Sequence, residues 1–149
     1  MLDERDGYLR QKGFLLLESF REPATASTIR QHLDNHDPET RAMSVRALAA
    51  VQGLEAVPLL LERLRSDQNP RVRIAALLAL EPLSDPTMLS AFIERLRDRY
   101  PEVRMAAIDV ISRMDHPRAR EAVLMQWRYE HHTDVRRVLN DATRRIASP

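Results

Sequence analysis

Apolar residues recur along this 149-residue chain at spacings of three and four, and the stripe they draw is written five times. Aligned on a shared arginine, the segments "DGYLRQKGFLLLESF", "DPETRAMSVRALAAV", "NPRVRIAALLALEPL", "YPEVRMAAIDVISRM" and "HTDVRRVLNDATRRI" start at Asp6, Asp37, Asn69, Tyr100 and His132. Those starts are evenly spaced to within a single position. One apolar column holds Phe14, Val45, Leu77 and Ile108. A second holds Leu17, Leu48, Leu80 and Ile111, and a third Phe20, Val51, Leu83, Met114 and Ile146. Such spacing places the three columns on one face of an α-helix. Asp37 and Asn69, each followed by proline, predict an N-cap with proline at the first helical position. Glu39, Glu102 and Asp134 add negative charge to the first turn, where the helix dipole favours it.

Each unit carries a second amphipathic half. Leu60, Leu61 and Leu64 correspond to Phe92, Ile93 and Leu96, to Val123, Leu124 and Trp127, and in the first unit to Ile29 and Leu33. Pro23, Pro86 and Pro117 each precede the last core residue of such a stretch by ten positions and predict the first turn of a second helix. The unit is thus helix A, short turn, helix B, short turn. No stretch alternates with the period of two that marks a strand. In the last unit Asn140 and Thr143 stand in apolar columns and no second helix follows, the pattern of a polar terminal cap. Gly13 interrupts the oilier first helix at a cost of about 1 kcal/mol.

A helical pair repeating at this interval, opening Pro-x-Val-Arg-x-Ala-Ala, resembles the HEAT-repeat family, and within it the short bacterial repeats also seen in phycobilisome-lyase-type proteins. Pro70, Val72, Arg73, Ala75, Ala76 and Leu80 carry the likeness, with Pro101, Val103, Arg104, Ala106, Ala107 and Ile111. The expected fold is one all-α domain over residues 1–149, a right-handed α-solenoid of about four and a half helix pairs. The resemblance also implies that the B helices line a concave binding surface, and that the arginine of Val-Arg lies between repeats.

That arginine column, Arg41, Arg73, Arg104 and Arg136 with Arg10 ahead of it, is expected to be structural. A guanidinium at one place in stacked helices can bond the carbonyls or acids of the next repeat, its stem packed on the Ala-Ala face. A second set lies on helix B: Arg63 with Arg95, and Arg65 with Arg97 and Arg128, next to Glu62 and Glu94. Arginine in a last turn complements the helix dipole, so these columns fit either a solvated surface or a partner-binding one. Trp127 and Tyr129, in "QWRYEHHTD", form the one aromatic-dense patch and are candidate interface anchors.

Composition narrows the chemistry. A net charge of +1 gives no global pull toward nucleic acid or anionic lipid, and the absence of cysteine removes thiolate catalysis and cysteine-ligated metals. The three glycines form no phosphate loop. The adjacent His131 and His132 lack the one-turn spacing of a metal pair, and no His-Glu dipeptide is present. No serine has a nucleophile-elbow context. No catalytic residue, metal or cofactor is therefore expected. The N-terminus has no secretory signal pattern, and apolar runs such as "FLLL" at 14–17 fall far short of a membrane span. The expected function is a non-enzymatic cytoplasmic adaptor or scaffold holding a protein with acidic groups on its B-helix face. Arg63, Arg65, Arg95, Arg97 and Arg128 would pair those groups, and Trp127 and Tyr129 would anchor it. The alternatives are an accessory subunit of a chromophore lyase, implied by family analogy, and a nucleic-acid-binding module, which the neighbouring acids disfavour. Partner identity and oligomeric state stay open.

Overall fold

A computed structural model describes residues 23–147; the first repeat's Arg10, Phe14, Leu17 and Phe20 lie outside them. Eight α-helices occupy the described residues, linked by short 3₁₀ turns, with no strand among them. The A helices are α2 (Pro38–Gln52), α4 (Pro70–Leu80), α6 (Pro101–Arg113) and α8 (Thr133–Ala147). The B helices are α1 (Pro23–His32), α3 (Val57–Ser66), α5 (Leu89–Glu94) and α7 (Pro117–Gln126). The chain divides into two compact units, Met1–Leu83 and Ser84–Pro149. The boundary falls inside the repeat that begins at Asn69.

The caps explain where the A helices begin. Asp37 accepts hydrogen bonds from the backbone N–H of Thr40 at 2.9 Å and from the Thr40 hydroxyl at 2.6 Å. Asn69 accepts from the N–H of Arg71 at 2.9 Å. Pro38, Pro70 and Pro101 occupy first-turn positions, where a missing N–H costs nothing. Tyr100 caps α6 without a side-chain bond. At α7 the cap is His116, whose Nδ1 accepts from the N–H of Arg118 at 3.1 Å.

Within the first unit α2 packs on α4, with α1 against α2 and α3 against α4. Within the second, α6 packs on α8, with α5 and α7 against α6. The first two predicted columns form these cores: Val45, Leu48, Leu77, Leu80, Ile108 and Ile111 are fully buried, as are Leu60, Leu64, Phe92 and Val123 from the B helices. Each such side chain contributes roughly 1.5–3 kcal/mol by leaving water. The third column, Val51, Leu83, Met114 and Ile146, is only half-buried at the helix ends.

The B helices vary more than their sequences suggest. Pro86 opens a single 3₁₀ turn capped by Asp85, and α5 runs only from Leu89 to Glu94 before Arg95–Arg97 tightens into another 3₁₀ turn. Leu124, aligned with the half-buried Leu61 and Ile93, is 49% exposed. The start of α3, with Pro58 in its first turn, escapes the proline rule that identifies α1 and α7.

One stretch, Pro38–Ser66, is long and apolar enough by length and composition to cross a membrane, although no single apolar run in it suggests so. Gly53 divides it. With φ +55° and ψ −125°, this residue ends α2, its N–H donating to the Ala49 carbonyl, and α3 then folds back against the core. A β-carbon at Gly53 would meet nothing within 4 Å, so any penalty there is conformational and not steric crowding. Replacing Gly53 by alanine is expected to destabilise the protein by roughly 1–3 kcal/mol, the usual cost of a strained backbone position. Equilibrium urea unfolding checks this, and unchanged stability would show that the turn relaxes freely.

Candidate functional site

The sequence predicts two sets of arginines, one holding repeats together and one facing a partner. The structure places them in different surroundings. Arg41, on α2, donates through Nε and Nη2 to both carboxylate oxygens of Asp67, at 2.8 and 3.0 Å. Its Nη1 donates to the carbonyls of Asn35 and His36. Arg104, on α6, repeats the arrangement: Nε and Nη2 reach Glu130 at 2.8 and 3.0 Å, and Nη1 reaches the Asp98 carbonyl at 2.8 Å. Arg73 is 5% exposed, and its Nη1 donates to the carbonyl of Asp67 at 2.7 Å. Each guanidinium thus holds a carbonyl from the turn just before its own helix. Arg41 and Arg104 also hold a carboxylate that lies just beyond the next B helix. Arg136 stands apart: it is exposed, with its guanidinium 5.1 Å from the centre of the Trp127 ring.

The acceptors form a column that the apolar pattern does not reveal: Asn35, Asp67, Asp98 and Glu130. Each lies two residues before a cap position, and each side chain accepts the backbone N–H of the residue two ahead. The column keeps the even spacing of the arginines, so its signal is present in the sequence. Alignment on the cap hides it, because this residue then falls at the tail of the preceding unit.

Asp67 therefore has two duties. Its side chain answers Arg41 and the N–H of Asn69, while its carbonyl answers Arg73. Side-chain exposures of 3% for Asp67 and 4% for Glu130 make isolated ionisation costly. Bidentate, charge-assisted bonds offset that cost. Burial pushes the Asp67 carboxyl up, but the hydrogen bonds from Arg41 and Asn69, with the charges of Arg41 and Arg63, outweigh it and hold the group below its ordinary value. At Glu130 burial again pushes upward and is overcome by Arg104, the N–H of His132 and the Gln126 amide, leaving it at about 2. Gln126 is itself buried, donating also to the Leu96 carbonyl at 2.9 Å.

The arginines expected to face a partner divide by exposure. Arg63 is 15% exposed and donates to Asp34 at 2.7 Å, while its buried Nε has no hydrogen-bond acceptor among the described residues. Arg95 is 17% exposed, 3.5 Å from Glu94. Arg65, Arg97 and Arg128 are exposed. At the end of α7, Trp127 is half-buried: its indole N–H donates to the Thr143 hydroxyl at 3.2 Å, and that hydroxyl donates to the Leu139 carbonyl at 2.8 Å. Thr143, a polar residue in an apolar column, thereby fixes the tryptophan. Tyr129 is 65% exposed, with Leu124 and Met125 exposed one turn before it. Among the described residues no cluster of three or more His, Asp or Glu could hold a metal ion.

The sequence profile of the family described as HEAT repeats matches residues 1–81 and again 57–143. No protein of curated function matches the chain in sequence. Among solved structures, that of the complex of CpcE and CpcF of phycocyanin lyase from Nostoc sp. PCC7120 aligns with a TM-score of 0.67 and 18% identity, covering 91% of this chain and 98% of that one. At this identity the likeness is one of fold, an all-α helical solenoid.

A pH dependence follows from the depressed carboxylates. Between about pH 4.5 and 2 the folded Glu130 binds fewer protons than the unfolded one, so stability rises with pH through that window. The contribution is complete above about pH 4.5 and is lost as pH falls toward 2; Asp67 acts in the same direction. Thermal melts from about pH 6 to 2.5 should show a steep fall in Tm below about pH 4.5, and Glu130→Gln should flatten it. A wild-type Tm independent of pH in that range would rule out the charged clasp.

Proposed function

Because the chain belongs to the HEAT-repeat family, whose repeats serve as interaction scaffolds, we propose that it is a non-enzymatic, cytoplasmic adaptor that binds a protein partner through the B-helix face of its units. The observation that carries this reading is the end of α7. Tyr129, Leu124 and Met125 are exposed, next in the chain to the exposed Arg128 and to a half-buried Trp127 held by Thr143 and Arg136. An aromatic anchor already held in place, with an arginine at its edge, has the composition of an interface hot spot. Arg65 and Arg97 add positive charge at the corresponding helix ends and suit acidic groups on the partner. Arg63 and Arg95, less exposed, shape the face through their stems. The intervening Glu62 and Glu94, both more than half exposed, would repel a phosphate backbone. That favours protein over nucleic acid.

The likeness to the CpcE and CpcF complex supports a second reading, an accessory subunit of a chromophore lyase. Affinity capture from the host extract, with mass spectrometry and a salt series, separates these readings. A specific protein retained by the wild type should be lost with Tyr129→Ala and with Arg128→Glu, each costing roughly 2 kcal/mol of binding. Capture that ignores both substitutions would remove the α7 patch from the interface. Retention of nucleic acid that falls steeply with salt would favour the nucleic-acid reading. A shifted absorption spectrum on mixing with bilins would favour the lyase reading, and an unchanged spectrum would count against it.

A further inference from the structure

The first unit carries a second surface, away from its B helices. Between α2 and α4 runs an apolar groove of about 290 Å³, floored by Ala49, Ala50 and Ala79 and flanked by Leu78 and Pro82. Leu78 is 48% exposed, and Arg46 stands exposed on the rim. Arg46 forms no hydrogen bond or ion pair with the described residues.

The second unit shows what this place looks like when the protein fills it. The repeats starting at Asp37 and Asn69 map onto those starting at Tyr100 and His132 in one register, with no gap. Arg46 then corresponds to Asp109, Ala49 to Ser112, Ala50 to Arg113, Leu78 to Asp141 and Pro82 to Arg145. In the second unit Arg145 reaches from α8 to α6, donating to Asp109 at 3.2 Å and to the Ser112 hydroxyl at 2.7 Å. Arg113 also pairs with Asp109. A polar arm thus crosses the junction of the two A helices. In the first unit proline replaces that arm, Ala49 replaces the hydroxyl that accepts it, and Arg46 replaces the acid. The crossing is gone, and an apolar floor is left beside a cation with no partner among the described residues.

We propose that this groove docks a protein segment presenting a large apolar side chain with a carboxylate one helical turn away. The apolar group would fill the space over Ala49, Ala50 and Ala79, which suits one or two large side chains. The carboxylate would supply to Arg46 the charge partner that Asp109 has in Arg145 in the second unit. This surface lies on A helices and is independent of the B-helix reading.

The test uses the full chain, isotope-labelled, and a synthetic amphipathic helical peptide with leucine and glutamate one turn apart. Two control peptides carry lysine for the glutamate or serine for the leucine. The leucine–glutamate peptide should shift the amide resonances of Ala49, Ala50, Leu78 and Ala79 and leave those of Asp109, Ser112 and Asp141 in place. Arg46→Glu should weaken it by about tenfold and favour the lysine peptide, and Leu78→Asp should abolish binding. Both positions are exposed, so both variants should fold, as circular dichroism would verify. No shift in the groove, equal binding of the serine peptide, or indifference to Arg46→Glu would overturn the proposal. Shifts confined to α3, α5 and α7 would assign the peptide to the B-helix face and also overturn it. So would concentration-dependent shifts of these amides in the free protein, which would seat a second copy of the chain in the groove.

Discussion

Within each unit the junction between repeats depends on one arrangement: a mostly buried guanidinium, Arg41 or Arg104, that holds a carbonyl behind it and a carboxylate ahead of it. Helix pairs of this length bury only one stripe each and need a neighbour to complete a core. Hydrophobic burial supplies most of the stability but is non-directional. The clasp supplies direction. Arg41 and Arg104 each fix where the chain leaves helix B relative to the A helix that precedes it, because the planar fork accepts a carboxylate in one orientation. The carboxylate in turn accepts the backbone N–H of the cap residue that opens the next A helix, so the repeats starting at Asn69 and His132 are each tied to the one before. Charges this well hydrogen-bonded can stay ionised with little exposure, which agrees with the depressed Asp67 and Glu130 carboxyls.

Much of this is legible in the sequence, because it repeats. Apolar columns, capping Asp37 and Asn69, and first-turn prolines are local signals, and four or five copies average out the noise in each. The arginine column is visible for the same reason. Its acceptors are harder to see because Asn35, Asp67, Asp98 and Glu130 share hydrogen-bonding capacity but not identity, and a column of mixed polar residues looks like a solvated turn. The division of the second arginine set is not legible either. Arg63 and Arg65 lie two residues apart, yet Arg63 meets Asp34 from the turn after α1 while Arg65 is exposed, a tertiary difference that no local pattern encodes.

The two proposed binding surfaces are separate from this framework. The clasp residues are mostly buried, whereas the aromatic and arginine end of α7 and the groove between α2 and α4 carry exposed side chains. Both depart from the repeat pattern. Leu124 is exposed where its counterparts Leu61 and Ile93 are half-buried, and Pro82 stands where Arg145 closes the equivalent site. In a repeat protein the consensus positions describe the scaffold, so departures from consensus direct attention to binding.

The guanidinium–carboxylate clasp should couple adjacent repeats energetically, beyond lying near their junction. A double-mutant cycle on Arg104→Ala and Glu130→Ala, read by equilibrium urea unfolding at neutral pH, measures that coupling. A coupling energy of about 2 kcal/mol or more, with each single substitution strongly destabilising, is the predicted result. Additive effects, with a coupling below about 0.5 kcal/mol, would contradict it and leave the stacking to hydrophobic burial alone.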